Sequence, residues 1–182
     1  MSNASGRPAA GEYAGYAEAD FAFVEGNDAV EALRAASEAT IRLVRSVEEP
    51  AIDDLRYAPG KWTFKQVLGH LTDDERVFAY RALCVARRDP RTLAGFDEND
   101  FVAAASFDEQ PLHQLLRGIE MTRASSIAFF SSLSAEEWLR RGMVNGYEAS
   151  VRGLAFHIAA HELHHLRVLR ERYLPLIPEA RS

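Results

Sequence analysis

The sequence has little of what would place it outside the ordinary globular class. It carries one cysteine, Cys84, in 182 residues, so no internal disulfide can form, which fits a reducing compartment. On an apolar helix such a thiol reads as a small core residue rather than a nucleophile. No uninterrupted apolar stretch approaches the roughly 20 residues that a bilayer crossing needs. The opening MSNASGRPAAGEYAGYAEAD has no basic start followed by an apolar run, so it does not read as a secretory leader. These absences lead us to expect a cytoplasmic protein with no membrane partner. Sustained alternation of apolar and polar residues is also missing, which argues against a sheet protein. The net charge is −6, with the acidic residues spread along the chain. Such a surface repels phosphate backbones, so nucleic acid is not the expected partner. The basic group Arg167, Arg170 and Arg172 falls where a last helix should end, a position favoured by the helix dipole.

What remains is 47% hydrophobic and 26% charged, enough for one packed core. Four segments carry apolar residues at helical spacing. The first runs from about Asp28 to Val47, with Asn27 as its N-cap and Val30, Leu33, Ile41 and Val44 as its stripe. The second starts near Thr63, carries Val67, Leu68, Leu71, Phe78 and Val85, and stops at the prolyl turn RRDPR. A third spans about Pro111 to Leu133, with a short helical turn after Ser134. The fourth spans about Ser150 to Tyr173. The expectation is an all-α protein, one four-helix bundle over residues 27–182, preceded by a partly flexible extension over 1–26. The connection from Asp89 to Glu109 is long for a bundle, and long loops tend to be functional.

The sequence holds six histidines, four of them in HIAAHELHH. Residues four apart on a helix differ by only about 40° in azimuth and about 6 Å along the axis, so His157 can meet His161, and His161 can meet His165. The spacing leaves a metal site and a buried polar network as alternatives. A site of the catalytic zinc type needs three protein ligands and an open position. His70, mid-helix beside Gly69, is the candidate third, because a glycine admits a close neighbour. His164 is rotated away and suits packing on another element or support behind the ligands, whereas His113 reads as surface.

HELHH also fits the H-E-x-x-H pattern of zinc peptidases, in which Glu162 would serve the water. The further ligand such enzymes place beyond the motif is missing, since Glu171 and Glu179 stand at the wrong distance. No edge strand is available to align a peptide. Glu162 is therefore expected to bond a histidine or face solvent.

RYAPGKWTFKQVLGHLTDDERVFAYRAL, LAGFDENDFV and SVRGLAFHIAAHELHHLRVLRERYL together resemble the DinB-like superfamily, which includes the YfiT-like metal-dependent hydrolases. The resemblance covers about Leu55 to Leu174. It implies an up-down-down-up four-helix bundle with a long crossover, and one divalent ion held by three histidines. Matched by position, those ligands are His70, His161 and His165, with His157 as a departure from the family pattern. The resemblance further implies a homodimer and, for some members, a low-molecular-weight thiol as co-substrate.

Three neutral imidazoles would leave an ion with its full charge, able to lower the pKa of a water or a thiol. Zinc and nickel both suit such ligands. No second catalytic group stands out, so the catalytic residues stay unassigned. Asp73 and Asp74, one turn beyond His70, are candidates to orient an imidazole. Trp62 and Tyr80 are candidates for the pocket wall. Arg76 and Arg81 are candidates to anchor a carboxylate, or to pair with Glu75 and Asp97. Two function classes follow: a metal-dependent transferase or hydrolase acting on a small molecule, and a metal-binding or stress-response protein without turnover.

Overall fold

The computed structural model describes residues 4–177. Among them the helices are α1 (Glu18–Phe21), α2 (Ala29–Arg45), α3 (Glu49–Ile52), α4 (Phe64–Ala86), α5 (Glu98–Ala104), α6 (Leu112–Ser131), α7 (Ala135–Leu139) and α8 (Val151–Val168). α8 continues through a wider turn, Leu169–Tyr173. The long helices start where their caps allow. Thr63 and Gln66 form a reciprocal capping box at α4, and Ser150 Oγ accepts the Gly153 N–H at α8, satisfying donors the first turn leaves open. At α2 the cap is Asp28, one residue later than expected, because its carboxylate accepts from the N–H groups of Val30 and Glu31 at 2.9 and 3.0 Å. Asn27 instead accepts from the Arg7 N–H.

α2, α4, α6 and α8 form a four-helix bundle in which α2 and α4 each pack on both α6 and α8. The first two bundle helices, α2 and α4, thus lie across one diagonal and the last two, α6 and α8, across the other, while α4 and α6 are neighbours. One apolar cluster gathers Leu33, Phe78, Phe130 and Phe156, and another gathers Phe64, Leu68, Ile119 and Leu166. Between these levels in each helix stands a buried polar residue: Thr40, Glu75, Arg123 and Glu162.

Two features lie outside the helical reading. Arg141–Val144 (β1) and Tyr147–Ser150 (β2) pair antiparallel, Arg141 opposite Ser150 and Val144 opposite Tyr147. Their two-residue turn is Asn145-Gly146, both at positive φ, 49° and 82°, which only such residues adopt readily. Leu93, in the long connection after α4, donates to the Met143 carbonyl and accepts from the Asn145 N–H, so that connection is pinned to the hairpin.

The segment before residue 27, expected as an extension, packs on the bundle from residue 4 onward. Ala17, Phe21 and Val24 join the first apolar cluster. The Glu12 carboxylate accepts from Ser150 Oγ at 2.7 Å and Arg152 Nε at 2.6 Å. Its carbonyl crosses α8 at Gly153, where an added Cβ would lie 2.0 Å from the oxygen. Gly69 plays the same part on α4: the Phe107 ring occupies the space a Cβ would need, at 2.3 Å.

Candidate metal centre

The side chains of His161 and His165 project from one face of α8, as their four-residue spacing requires, and His70 meets them from α4. His161 Nε2 lies 3.1 Å from both His70 Nε2 and His165 Nε2. One nitrogen from each residue falls within 4.8 Å of the other two. Burial disfavours the charged imidazolium, holding His70 down to about 4 and His165 to about 3. His161 is pushed well below the ordinary value by burial first and by the neighbouring histidines second. The three rings are therefore neutral near pH 7, with ring nitrogens aimed at a common point.

Their surroundings fix the rings. Trp62 stacks on His165 at an interplanar angle of 21° and packs on His70 with centroids 4.7 Å apart. The Trp62 carbonyl accepts a 2.7 Å bond from Tyr173 in the turn after α8, which ties the indole to both helices that supply histidines. Asp74 lies 3.3 Å from His161 Nδ1. Burial raises its carboxyl to about 8, a shift that nearby Arg81 opposes.

The cluster forms one wall of a cavity of about 420 Å³ also lined by Tyr16, Asp74, Phe78, Arg81, Phe96 and His157. Tyr16 comes from the N-terminal segment, Phe96 from the long connection, and Asn145 from the hairpin turn at the same cavity. His157 stacks on Phe78 with centroids 3.9 Å apart. Its nearest carboxylate is Asp74, 3.9 Å from Nε2, so it is a wall residue beside the cluster.

Several expectations from the sequence change here. Asp73 pairs with Arg76 on the surface at 3.1 Å, and the carboxylate at the histidines is Asp74. Both lie one turn beyond His70, about 40° and about 60° to opposite sides of its line; Asp74 falls on the side of His161 and Asp73 on that of Arg76. Tyr80 is exposed and does not line this cavity. Glu162 neither bonds a histidine nor faces solvent, because one residue beyond His161 it points about 100° around the helix. It accepts from Arg123 Nη2 at 2.6 Å, while Arg123 also makes a two-pronged contact to Glu75 at 2.9 Å. Burial raises the Glu162 carboxyl. The Arg123 guanidinium opposes this shift most, and Thr40 Oγ1 and Glu162 Oε1 are left without a well-formed hydrogen bond. His164 Nδ1 bonds Asp20 of α1 at 2.8 Å. Glu179 lies outside the described residues.

The sequence profile of the DinB superfamily matches residues 32–169. The chain belongs to the DinB superfamily. The match takes in all three histidines of the cluster and Arg123. Among solved structures, YfiT from Bacillus subtilis aligns with a TM-score of 0.70 over 93% of this chain and 95% of that chain, at 15% identity. It is described as a probable metal-dependent hydrolase with an unusual four-helix bundle topology. The TM-score of 0.70 gives this DinB chain the same fold as YfiT. No curated protein matches the chain at a significant level. Among the described residues no helix is long and apolar enough to cross a membrane.

Proposed function

We propose that His70, His161 and His165 hold one divalent metal ion and that the protein is a metal-dependent enzyme acting on a small molecule, either a thiol-dependent S-transferase or a hydrolase. The observation that carries this reading is the convergence of three neutral imidazoles on the wall of an open cavity. Ligand nitrogens about 2.0–2.1 Å from a tetrahedral ion lie about 3.3 Å from one another, close to the 3.1 Å separations found here. Without an ion the arrangement is poor, since three nitrogens aimed at one point cannot all find a donor or acceptor among themselves. Zinc and nickel both suit the set.

When bound, such an ion supplies a deprotonated nucleophile near neutral pH, from water or from a small thiol. The chain's own residues prepare the place. Asp74 faces His161 Nδ1, where a carboxyl oxygen, able to accept in either protonation state, would take the ring N–H and leave the Nε2 lone pair free for an ion, the usual support behind a ligating histidine. Trp62 restrains the His70 and His165 rings. Phe78, Phe96 and His157 supply flat walls, and the cavity has room for a small substrate. Its openness supports turnover over an ion sealed in for structure alone. The similarity to YfiT supports the hydrolase branch, and the sequence resemblance supports a thiol co-substrate and a homodimer. The net charge of −6 supports a partner other than nucleic acid.

The test is metal analysis of protein purified without chelating resin, followed by hydrolase and thiol-transfer screens with and without the metal found. We expect about one ion per chain in the wild type and a strong loss in His70→Ala, with the helical circular dichroism kept. Full metal content in His70→Ala would contradict the assignment.

A further inference from the structure

Two arginines are buried to the same degree in this protein, and their circumstances differ. Arg123 is 3% exposed and holds two glutamates. Arg81 is also 3% exposed, yet its hydrogen bond goes to the Ala94 carbonyl, from Nη2 at 2.8 Å. Among the described residues no carboxylate oxygen lies within 4.0 Å of its guanidinium. A cation removed from water without a counter-ion is costly, so buried charges are nearly always paired. Arg81 departs from that rule on the wall of the cavity that holds the three histidines.

Its setting is that of a prepared donor. The guanidinium carbon sits 4.7 Å from the Phe78 ring centroid and 5.5 Å from that of Phe96, so two aromatic rings hold the planar fork. The bond to Ala94 fixes one end of it. The Phe78 ring that carries Arg81 stacks in turn on His157, and His157 on His161 with centroids 5.6 Å apart. A row of flat groups thus leads from Arg81 to the cluster. None of the acidic residues lining the cavity makes a contact pair with Arg81: Asp20 bonds His164, Asp74 stands near enough to feel its charge but faces His161, and Glu98 is exposed.

We infer that Arg81 is the anchor for a single carboxylate of the substrate, whose flat or apolar body lies along Phe78, Phe96 and His157 and carries the reacting centre to the histidines. A carboxylate fits better than a phosphate. One guanidinium in a cavity that Asp74 and Glu98 also line suits a single negative charge and two coplanar oxygens, whereas a doubly charged phosphate calls for more cations or N–H groups. This names a substrate class for the metal site proposed above and rests on that reading for the chemistry, but the binding step has its own readout.

The probes are benzoate, phenylacetate and 3-phenylpropionate with their amides, and inorganic phosphate, titrated calorimetrically into the metal-loaded and the chelator-treated full chain. At least one carboxylate should bind the wild type saturably and at least tenfold more tightly than its amide, in both preparations. Arg81→Gln should lose that preference at least tenfold while metal stoichiometry and amide binding stay unchanged. Arg81→Lys, which keeps the charge but not the fork, should fall between. Should Arg81→Gln fail to fold, the acid-against-amide ratio on the wild type and the Arg81→Lys titration still decide. Equal binding of acids and amides, no saturable binding of any acid, tighter binding of phosphate, or unchanged carboxylate binding in Arg81→Gln would each overturn the inference. Carboxylate binding confined to the metal-loaded chain and indifferent to Arg81 would place the anion on the ion, sinking this inference and sparing the metal site. An Arg81-dependent preference in a chain that takes up no metal would do the reverse.

Discussion

At the scale of single residues, the arrangement turns on which way each side chain leaves its helix. His161 needs a proton on Nδ1 if Nε2 is to act as a ligand, and Asp74, at 3.3 Å, is the carboxylate placed to hold it. Asp74→Asn should therefore weaken metal affinity about 10–100-fold. Asp73→Asn should leave it unchanged, since Asp73 pairs with Arg76 outside the cavity. Competition titration against a chelator separates the two, and equal effects would refute the role given to Asp74. Glu162 belongs to a different network. Replacing it with Ala leaves Arg123 and Glu75 in a buried ion pair stripped of one partner, a change expected to cost about 3–5 kcal/mol. Urea unfolding should show that loss, while the folded fraction keeps its metal; a loss of metal without a loss of stability would restore the peptidase-like role for Glu162.

Much of the site is legible in the letters of the sequence, though unevenly. The four-residue spacing of His161 and His165 puts them on one face, and Gly69 marks the close approach that Phe107 makes. Helical arithmetic places both Asp73 and Asp74 one turn beyond His70 and does not choose between them; the choice comes from space, where Asp74 meets His161 and Asp73 meets Arg76. Arg123 is harder to foresee. Its importance comes from meeting Glu75 of α4 and Glu162 of α8 in space, which no spacing within α6 reveals.

At the scale of elements, small residues decide where backbones cross. Gly153 lets the Glu12 carbonyl lie on α8, and Gly153→Ala would place a Cβ 2.0 Å from it against backbone that has little freedom to move. That variant should lose about 1–3 kcal/mol through overpacking and loosen the segment bearing Tyr16 from the cavity rim, seen as faster amide exchange over residues 12–21. Unchanged exchange there would contradict the crossing. The same clamp has a pH signature. Arg152 foremost, with Ser150, holds the Glu12 carboxyl down to about 2 from an ordinary 4.5. A depressed carboxyl contributes stability that is fully present above about pH 4.5 and lost as pH falls toward 2, here of the order of 3 kcal/mol. Thermal melts of the wild type should drop across that window, and Glu12→Gln should start lower and slope less.

The elements themselves were readable where periodicity was strong, as in α2, α4, α6 and α8. The hairpin is not legible in the periodicity because its strands are four residues each, too short for alternation to register. Its signal was the Asn145-Gly146 pair, which favours a two-residue turn. The docking of the N-terminal segment left no periodic trace, since it rests on a few contacts made far along the chain, such as Glu12 with Arg152 and Asp20 with His164.

At the scale of the whole molecule, the bundle uses its ends and its middle differently. Two apolar clusters supply the packing, and the polar level between them is where the helices place charge. On one side of α8 that level is closed by Arg123 and its glutamates. On the other it opens into the cavity with the histidines, roofed by the long connection, the hairpin turn and the N-terminal segment. The irregular parts of the chain thus complete a site that the helices begin, and site specificity is expected to vary with them.

The claim on which the rest depends is that His70, His161 and His165 share one ion. Anomalous diffraction from crystals of the zinc-loaded protein tests it directly. The account predicts a single strong peak at about 2.0–2.1 Å from Nε2 of all three residues. A peak elsewhere, or three histidines bonded only to water and to one another at full zinc loading, would contradict it.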